Sequence, residues 1–173
     1  LDFTLQALAG RLLKRLLQSL VSLTSLGTKR GIKVERNGWQ FSVRVDGDDL
    51  VVDNTTATWF GGDNDPLDNG ETASGVMTKG NPHVLGCALP VVPNHPSTAG
   101  SPLAFSPRIP WKTKVLVEHK DKILVVELLD NGPAKSAGDG IDLTPAAFKF
   151  FAPIEKGVID VSYRIIGAAK YVK

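Results

Sequence analysis

Two aspartates frame the chemistry this chain can carry. Asp130 ends the strongly apolar run Ile123-Leu124-Val125-Val126-Glu127-Leu128-Leu129 and opens the segment Asp130-Asn131-Gly132-Pro133. Asp142 follows a loop of small residues and stands between Ile141 and Leu143, just before Thr144-Pro145. Carboxylates at the two ends of one short loop can share a cleft. There, one acid can protonate a leaving oxygen, and a second carboxylate can position the substrate or activate water. Each also has a purely local reading: Asp142 as a helix cap, and Asp130 as a turn carboxylate bonded to the amides that follow it. Asp65 and Asp68, in the glycine-rich loop Gly61 to Gly70, are further candidates for the second carboxylate. Trp59 and Phe60 immediately precede that loop. Their rings suit the apolar face of a sugar, although large aromatics serve equally as core.

Other chemistries find less support. The single cysteine, Cys87, excludes an intramolecular disulfide and a thiolate metal cluster, and nothing pairs it with a base, so it reads as a small buried residue. His83, His95 and His119 lack the carboxylate or cysteine spacing of a zinc site, so neither a metal nor a cofactor is expected. The acidic turn Asp46-Gly47-Asp48-Asp49 has the composition of a calcium loop without its spacing or closing glutamate. Serines and threonines are plentiful, but no nucleophile-elbow motif is present. Lys and Arg number 20 against 18 Asp and Glu, and a net charge of +2 gives no reason to expect a nucleic-acid partner.

The elements that must position these residues can be read from hydrophobic periodicity. Residues 3–26 predict an amphipathic helix, with Leu5, Leu8, Leu12, Leu16, Leu20 and Leu23 along one stripe. That face calls for a cover: the body of the protein, a neighbouring subunit or domain, or a membrane surface. Ile32 to Arg36 and Trp39 to Val45 alternate about Asn37-Gly38, which predicts a hairpin, and Leu50-Val51-Val52 returns as a strand. Thr56 to Phe60, Val115 to Glu118, Ile123 to Leu129 and Val158 to Ile166 predict further strands. Thr144 is placed to cap a helix from Pro145 to Phe151. Between residues 77 and 110, prolines and glycines predict loops with short strands. At 173 residues and 42% hydrophobic, one domain with a real core is expected. The division is a helical extension over 1–30, a hairpin extension over 31–54 and the main domain over 55–173. No stretch reaches the ~18 consecutive apolar residues of a membrane span. The chain opens on Leu1 without a basic leader, and so reads as a processed or excised fragment.

Six segments, in order, carry a family resemblance: Thr56-Ala57-Thr58-Trp59-Phe60, Gly70-Glu71-Thr72-Ala73-Ser74-Gly75, Ile109-Pro110-Trp111-Lys112-Thr113-Lys114-Val115, Asp130-Asn131-Gly132-Pro133, Ile141-Asp142-Leu143-Thr144-Pro145-Ala146-Ala147-Phe148 and Lys156-Gly157-Val158-Ile159. Together they resemble the double-psi beta-barrel of rare lipoprotein A-like lytic transglycosylases and of the first domain of expansins. The resemblance implies a mainly β fold, a six-stranded double-psi barrel with short helices, preceded by the amphipathic helix and hairpin. It implies that Asp142 is the catalytic acid, that Asp130 is the aspartate ending the preceding strand, and that Thr58 lies by the cleft. His83 falls broadly where relatives carry a histidine. Trp111 stands where they carry a small glycine, and Asn131 where transglycosylases commonly carry arginine. The function so implied is cleavage of a cell-wall glycan, as by a peptidoglycan lytic transglycosylase. The alternatives are an expansin-like module that binds and loosens polysaccharide without net cleavage, and a structural or interaction domain on the same fold. A polysaccharide or peptidoglycan strand is the expected partner, with a protein partner for the first helix, and an extracytoplasmic setting follows.

Overall fold

The computed structural model describes residues 30–32, 43–66, 68–134 and 140–172. The helix expected over residues 3–26 and the Asn37-Gly38 turn lie outside these residues. The described residues form eight strands: β1 (Arg30–Ile32), β2 (Val43–Asp46), β3 (Asp49–Trp59), β4 (Gly86–Ala88), β5 (Lys114–His119), β6 (Lys122–Asp130), β7 (Ile141–Leu143) and β8 (Ile159–Ile165). One α-helix, α1 (Pro145–Phe151), follows β7, and short 3-10 turns lie at Ile154–Lys156 and Ala169–Tyr171.

Six of the strands close on themselves. The order β3-β7-β4-β6-β5-β8 returns to β3 through a β3–β8 pairing. The β3–β7 and β4–β6 pairs are parallel and the others antiparallel. The result is a closed, mixed six-stranded β-barrel with short helices, consistent with the double-psi type. β2 pairs with the first half of β3, and β1 pairs with β2, so both extend the sheet beyond the barrel.

Alternation fixes which side chains point inward. In β8 Ile159, Val161, Tyr163 and Ile165 are buried, while Asp160 is exposed and Ser162 and Arg164 are half-buried. These residues join Leu50, Val52, Ala57, Cys87, Val115, Val117, Val126, Leu128, Ile141 and Leu143 in one core, capped by Phe148 of α1. The proline-rich stretch before β5 has no strand of its own, yet Leu103 and Ile109 anchor it in the core.

The structure corrects two local expectations. Leu50-Val51-Val52 and Thr56 to Trp59 are two halves of one strand, β3, joined across a bulge in which Asn54 has φ 54°. Asparagine tolerates this left-handed conformation, so the strand bends and continues where turn-like residues suggested a break. Thr144 precedes α1 but makes no capping bond. Its hydroxyl instead donates to the carbonyl of Val84 at 2.6 Å and accepts from the amide of Gly86 at 3.0 Å, tying β4 to the β7–α1 junction.

Candidate functional site

Asp142 sits on the outside of the barrel because its neighbours sit inside. Ile141 and Leu143 are both fully buried, and the side chain between them points the other way and is half-buried. Across the parallel pairing Thr58 is its register partner, and the Thr58 hydroxyl donates to Asp142 Oδ1. On the opposite side Asp142 pairs with Ala88 of β4, and Ala88 pairs in turn with Asp130 of β6. One row, Thr58, Asp142, Ala88 and Asp130, therefore crosses β3, β7, β4 and β6. With neighbouring strands about 4.8 Å apart, the two aspartate α-carbons stand roughly 9–10 Å from one another across the single methyl of Ala88.

Asp130 owes its place in that row to an irregularity. Cys87 pairs with Leu128, but Ala88 pairs with Asp130, so Leu129 is the extra residue of a bulge. Strict alternation from the inward Leu128 would point Asp130 inward as well; the added residue turns it to the face that carries Asp142. Leu129 is itself buried, and its side chain lies against Gly86, where a Cβ would overlap it. Glycine is required there by close approach.

The half-buried Asp130 carboxyl is held in place by the backbone. Its Oδ1 accepts N–H bonds from Asn131 at 2.8 Å and from Ala73 at 3.2 Å, which docks the loop around Thr72–Met77 beside β6. Burial raises its pKa above the ordinary carboxylate value, these two bonds oppose the rise, the charge of Asp68 adds to it and that of His95 opposes it. Gly132 borders the space between the acids: a Cβ built there would lie 3.7 Å from both Ala88 Cβ and Asp142 Oδ2. Asn131 turns aside from the acids. Its side-chain oxygen accepts from the amide of Val92 at 3.1 Å and its amide donates to Thr98 at 3.4 Å, holding the proline-rich loop. Cys87 lies inside the barrel, where burial first and the charge of Asp142 second push its thiol pKa far up, a core residue and no nucleophile.

The remaining candidates separate from this row. Asp68 reaches Asp130 through its charge and accepts from the amide of Gly70. Asp65 accepts from the amide of Gly61 at 3.2 Å and so shapes its own loop. His83 is exposed in the turn before β4, and Phe60 is half-buried with its amide bonded to the carbonyl of Leu143. Trp111 packs against the core, and the guanidinium of Arg108 lies 4.0 Å from its ring centroid, so a cation already covers one face. Trp59 packs against the core too and lines a cavity of about 100 Å³ at the ends of β3 and β7, shared with Asn64, Asn81, Val84, Pro145 and Ala146. Sequence patterns give no sign of Ala88, Gly132 or the amide of Ala73, which have no polar side chain to draw attention. Nor do they single out Asn64 and Asn81, which resemble ordinary turn asparagines.

No protein-family model matches the sequence, and no curated protein matches it. Among solved structures the chain is similar to a Streptomyces papain inhibitor, with 19% identity, 65% of this chain and 92% of that chain covered, and a TM-score of 0.44. A likeness of this degree carries no functional argument.

Proposed function

We propose that the barrel is of the double-psi type and that the chain cleaves a cell-wall glycan as a peptidoglycan lytic transglycosylase acting outside the cytoplasm. The observation that supports this reading is the row Thr58, Asp142, Ala88, Asp130 on the outer face of the barrel. Asp142, protonated, gives its proton to the glycosidic oxygen as the bond from that oxygen to the anomeric carbon breaks. The sugar's own 6-hydroxyl oxygen then bonds to the same carbon, closing an anhydro ring. Its proton passes to the Asp142 carboxylate, and the acid is restored without consumption of water. Thr58 holds one oxygen of that carboxyl and sets its orientation. Asp130 positions the site through Ala73 and Asn131. Because Asp130 Oδ1 is already committed to two amides, the single-acid mechanism is favoured over hydrolysis by a second carboxylate.

The test is release of anhydro-muropeptides from purified sacculi. The expected outcome is soluble anhydro product from the wild-type chain and loss of at least about a hundredfold in rate in Asp142→Asn, with an unchanged melting temperature. An unchanged rate removes Asp142 from the chemistry. Binding to sacculi with no soluble product, from a folded chain, favours the expansin-like alternative of gripping and loosening the polysaccharide.

A further inference from the structure

The proline-rich loop that Asn131 holds beside Asp130 carries a histidine and a serine already joined. His95 Nδ1 lies 2.6 Å from Ser97 Oγ and 3.3 Å from the backbone nitrogen of Ser97. A backbone amide can only donate, so Nδ1 is the unprotonated ring nitrogen and the neutral ring carries its proton on Nε2. The Ser97 hydroxyl is then the donor of the shorter bond. A hydroxyl donating to the lone pair of an imidazole is the arrangement that general-base activation of a nucleophile requires.

The loop holds this pair in place. Asn94 takes φ 66°, a left-handed conformation that asparagine tolerates, and Pro96 fixes φ between the two side chains. The Thr98 amide donates to the His95 carbonyl at 3.1 Å. The hydroxyl of the buried Thr98 donates to the carbonyl of Val92 at 3.2 Å and accepts from the Asn131 side-chain amide at 3.4 Å. The Val92 amide closes the loop on the Asn131 side-chain oxygen at 3.1 Å. Both anchors lead to the residue after Asp130, and the charges of Asp130 and His95 act on each other. A carboxylate there favours the imidazolium that forms when His95 takes a proton. His95 is exposed and Ser97 half-buried, so Oγ is reached from solvent with room for a small acyl group.

We propose that Ser97 and His95 form a second reactive centre, independent of Asp142, that hydrolyses short-chain carboxylic esters through an acyl-serine. Ser97 Oγ bonds to the ester carbonyl carbon as its proton passes to His95 Nδ1. The bond from that carbon to the alcohol oxygen then breaks, and the alcohol leaves with the proton. Water next bonds to the acyl carbon and gives a proton to Nδ1. The bond to Oγ breaks, Oγ recovers the proton, and the carboxylic acid departs. While the ring carries the extra proton, the Ser97 amide has lost its acceptor and is available to the oxyanion forming beside it.

The probe is p-nitrophenyl acetate, added to the full chain. Release of p-nitrophenolate is followed in time, and the acetylated residue is located by peptide mass mapping. Acetyl-Ser97 is expected, formed faster than the acetyl ester of any other serine or threonine. Ser97→Ala is expected to lose that adduct and the p-nitrophenolate release that accompanies it. His95→Asn separates base from scaffold. An asparagine oxygen accepts from the amide and hydroxyl two residues on and so keeps the turn, but it takes no proton. Acylation of Ser97 in that variant is expected to slow about a hundredfold or more. Acetyl groups confined to lysines or to His95 itself, release that persists in Ser97→Ala, or an undiminished rate in His95→Asn overturns the proposal. Ser97→Ala is also expected to match the wild type on sacculi, since neither residue takes part in the Asp142 mechanism. Loss of sacculus digestion in Ser97→Ala would merge the two centres and overturn the independent one.

Discussion

At the scale of single residues, the function proposed for Asp142 depends on a carboxyl group that does not wander, and the hydroxyl of Thr58 supplies that restraint. Thr58→Val keeps the branched shape that a strand favours and deletes only the donor. A hydrogen bond to a charged carboxylate contributes about 1.5–3 kcal/mol, so the rate on sacculi is expected to fall roughly ten- to a hundredfold, beyond what the folded fraction of the variant explains. Thr58→Ser, which returns the hydroxyl, is expected to recover most of the rate. A Thr58→Val chain as fast as wild type would leave the hydroxyl without a role. Asp142 was legible from its neighbours alone, because an acid between two apolar residues in a short strand must face away from the core. Asp130 was legible as a candidate but not as a partner on the same face. Its direction depends on a bulge opposite β4, which no pattern within β6 records. The aromatics were ambiguous for a related reason. Trp59 and Trp111 both pack on the core, and only the fold distinguishes the ring that opens on a cavity from the ring covered by Arg108.

At the scale of elements, β4 is the centre of the site although it has only three residues, Gly86 to Ala88. Gly86 admits Leu129, Cys87 fills the barrel, and Ala88 separates the two acids with a single methyl. Gly86→Ala would drive a methyl into Leu129 and to 3.3 Å from Thr144 Cγ2, where neither neighbour has room to retreat. Overpacking of this kind costs about 1–3 kcal/mol. The variant is therefore expected to unfold at lower urea, and to lose activity beyond what its folded fraction explains, because Leu129 is the residue that turns Asp130 outward. Full activity per folded molecule would contradict that link between bulge and site. The strands with clear alternation, β5 and β8, and the helix Pro145–Phe151 were legible in the sequence. β4 was not, since Gly86-Cys87-Ala88 is too short and too small to display a period, and it becomes a strand only through pairing with β6 and β7.

At the scale of the whole molecule, the extension and the barrel are held together by charge at the seam where the barrel closes. Arg164 of β8 donates to Asp46 at the end of β2, at 2.8 Å, and to Asp49 at the start of β3, at 3.0 Å. Arg44 of β2 bonds Asp46 at 3.1 Å and Asp53 at 2.7 Å, and Asp49 also accepts the amide of Gly167. The acidic turn that suggested calcium by composition thus spends Asp46 and Asp49 on arginines from two strands. Periodicity could not foresee this, because Arg164 lies more than a hundred residues from both acids in sequence. Arg164→Gln leaves both carboxylates without their shared cation. Side chains here are only about a quarter exposed, so the loss at pH 7 should fall between the ~0.2–1 kcal/mol of a surface pair and the ~3–5 kcal/mol of a buried one. The pH dependence follows from Asp46, whose pKa is lowered chiefly by its bond to Arg164, with burial opposing and Arg44 assisting. A carboxylate whose folded pKa lies below its unfolded value stabilises the native state above the unfolded pKa of 3.8, and that stabilisation is lost as pH falls through the folded value. Wild type and Arg164→Gln are therefore expected to differ most near pH 7 and to converge as the solution is acidified below the ordinary carboxylate range. Thermal melts across that interval read the difference directly. A gap that stays constant to low pH would mean that Arg164 acts through packing of its stem on β3, with no contribution from the carboxylates it bridges.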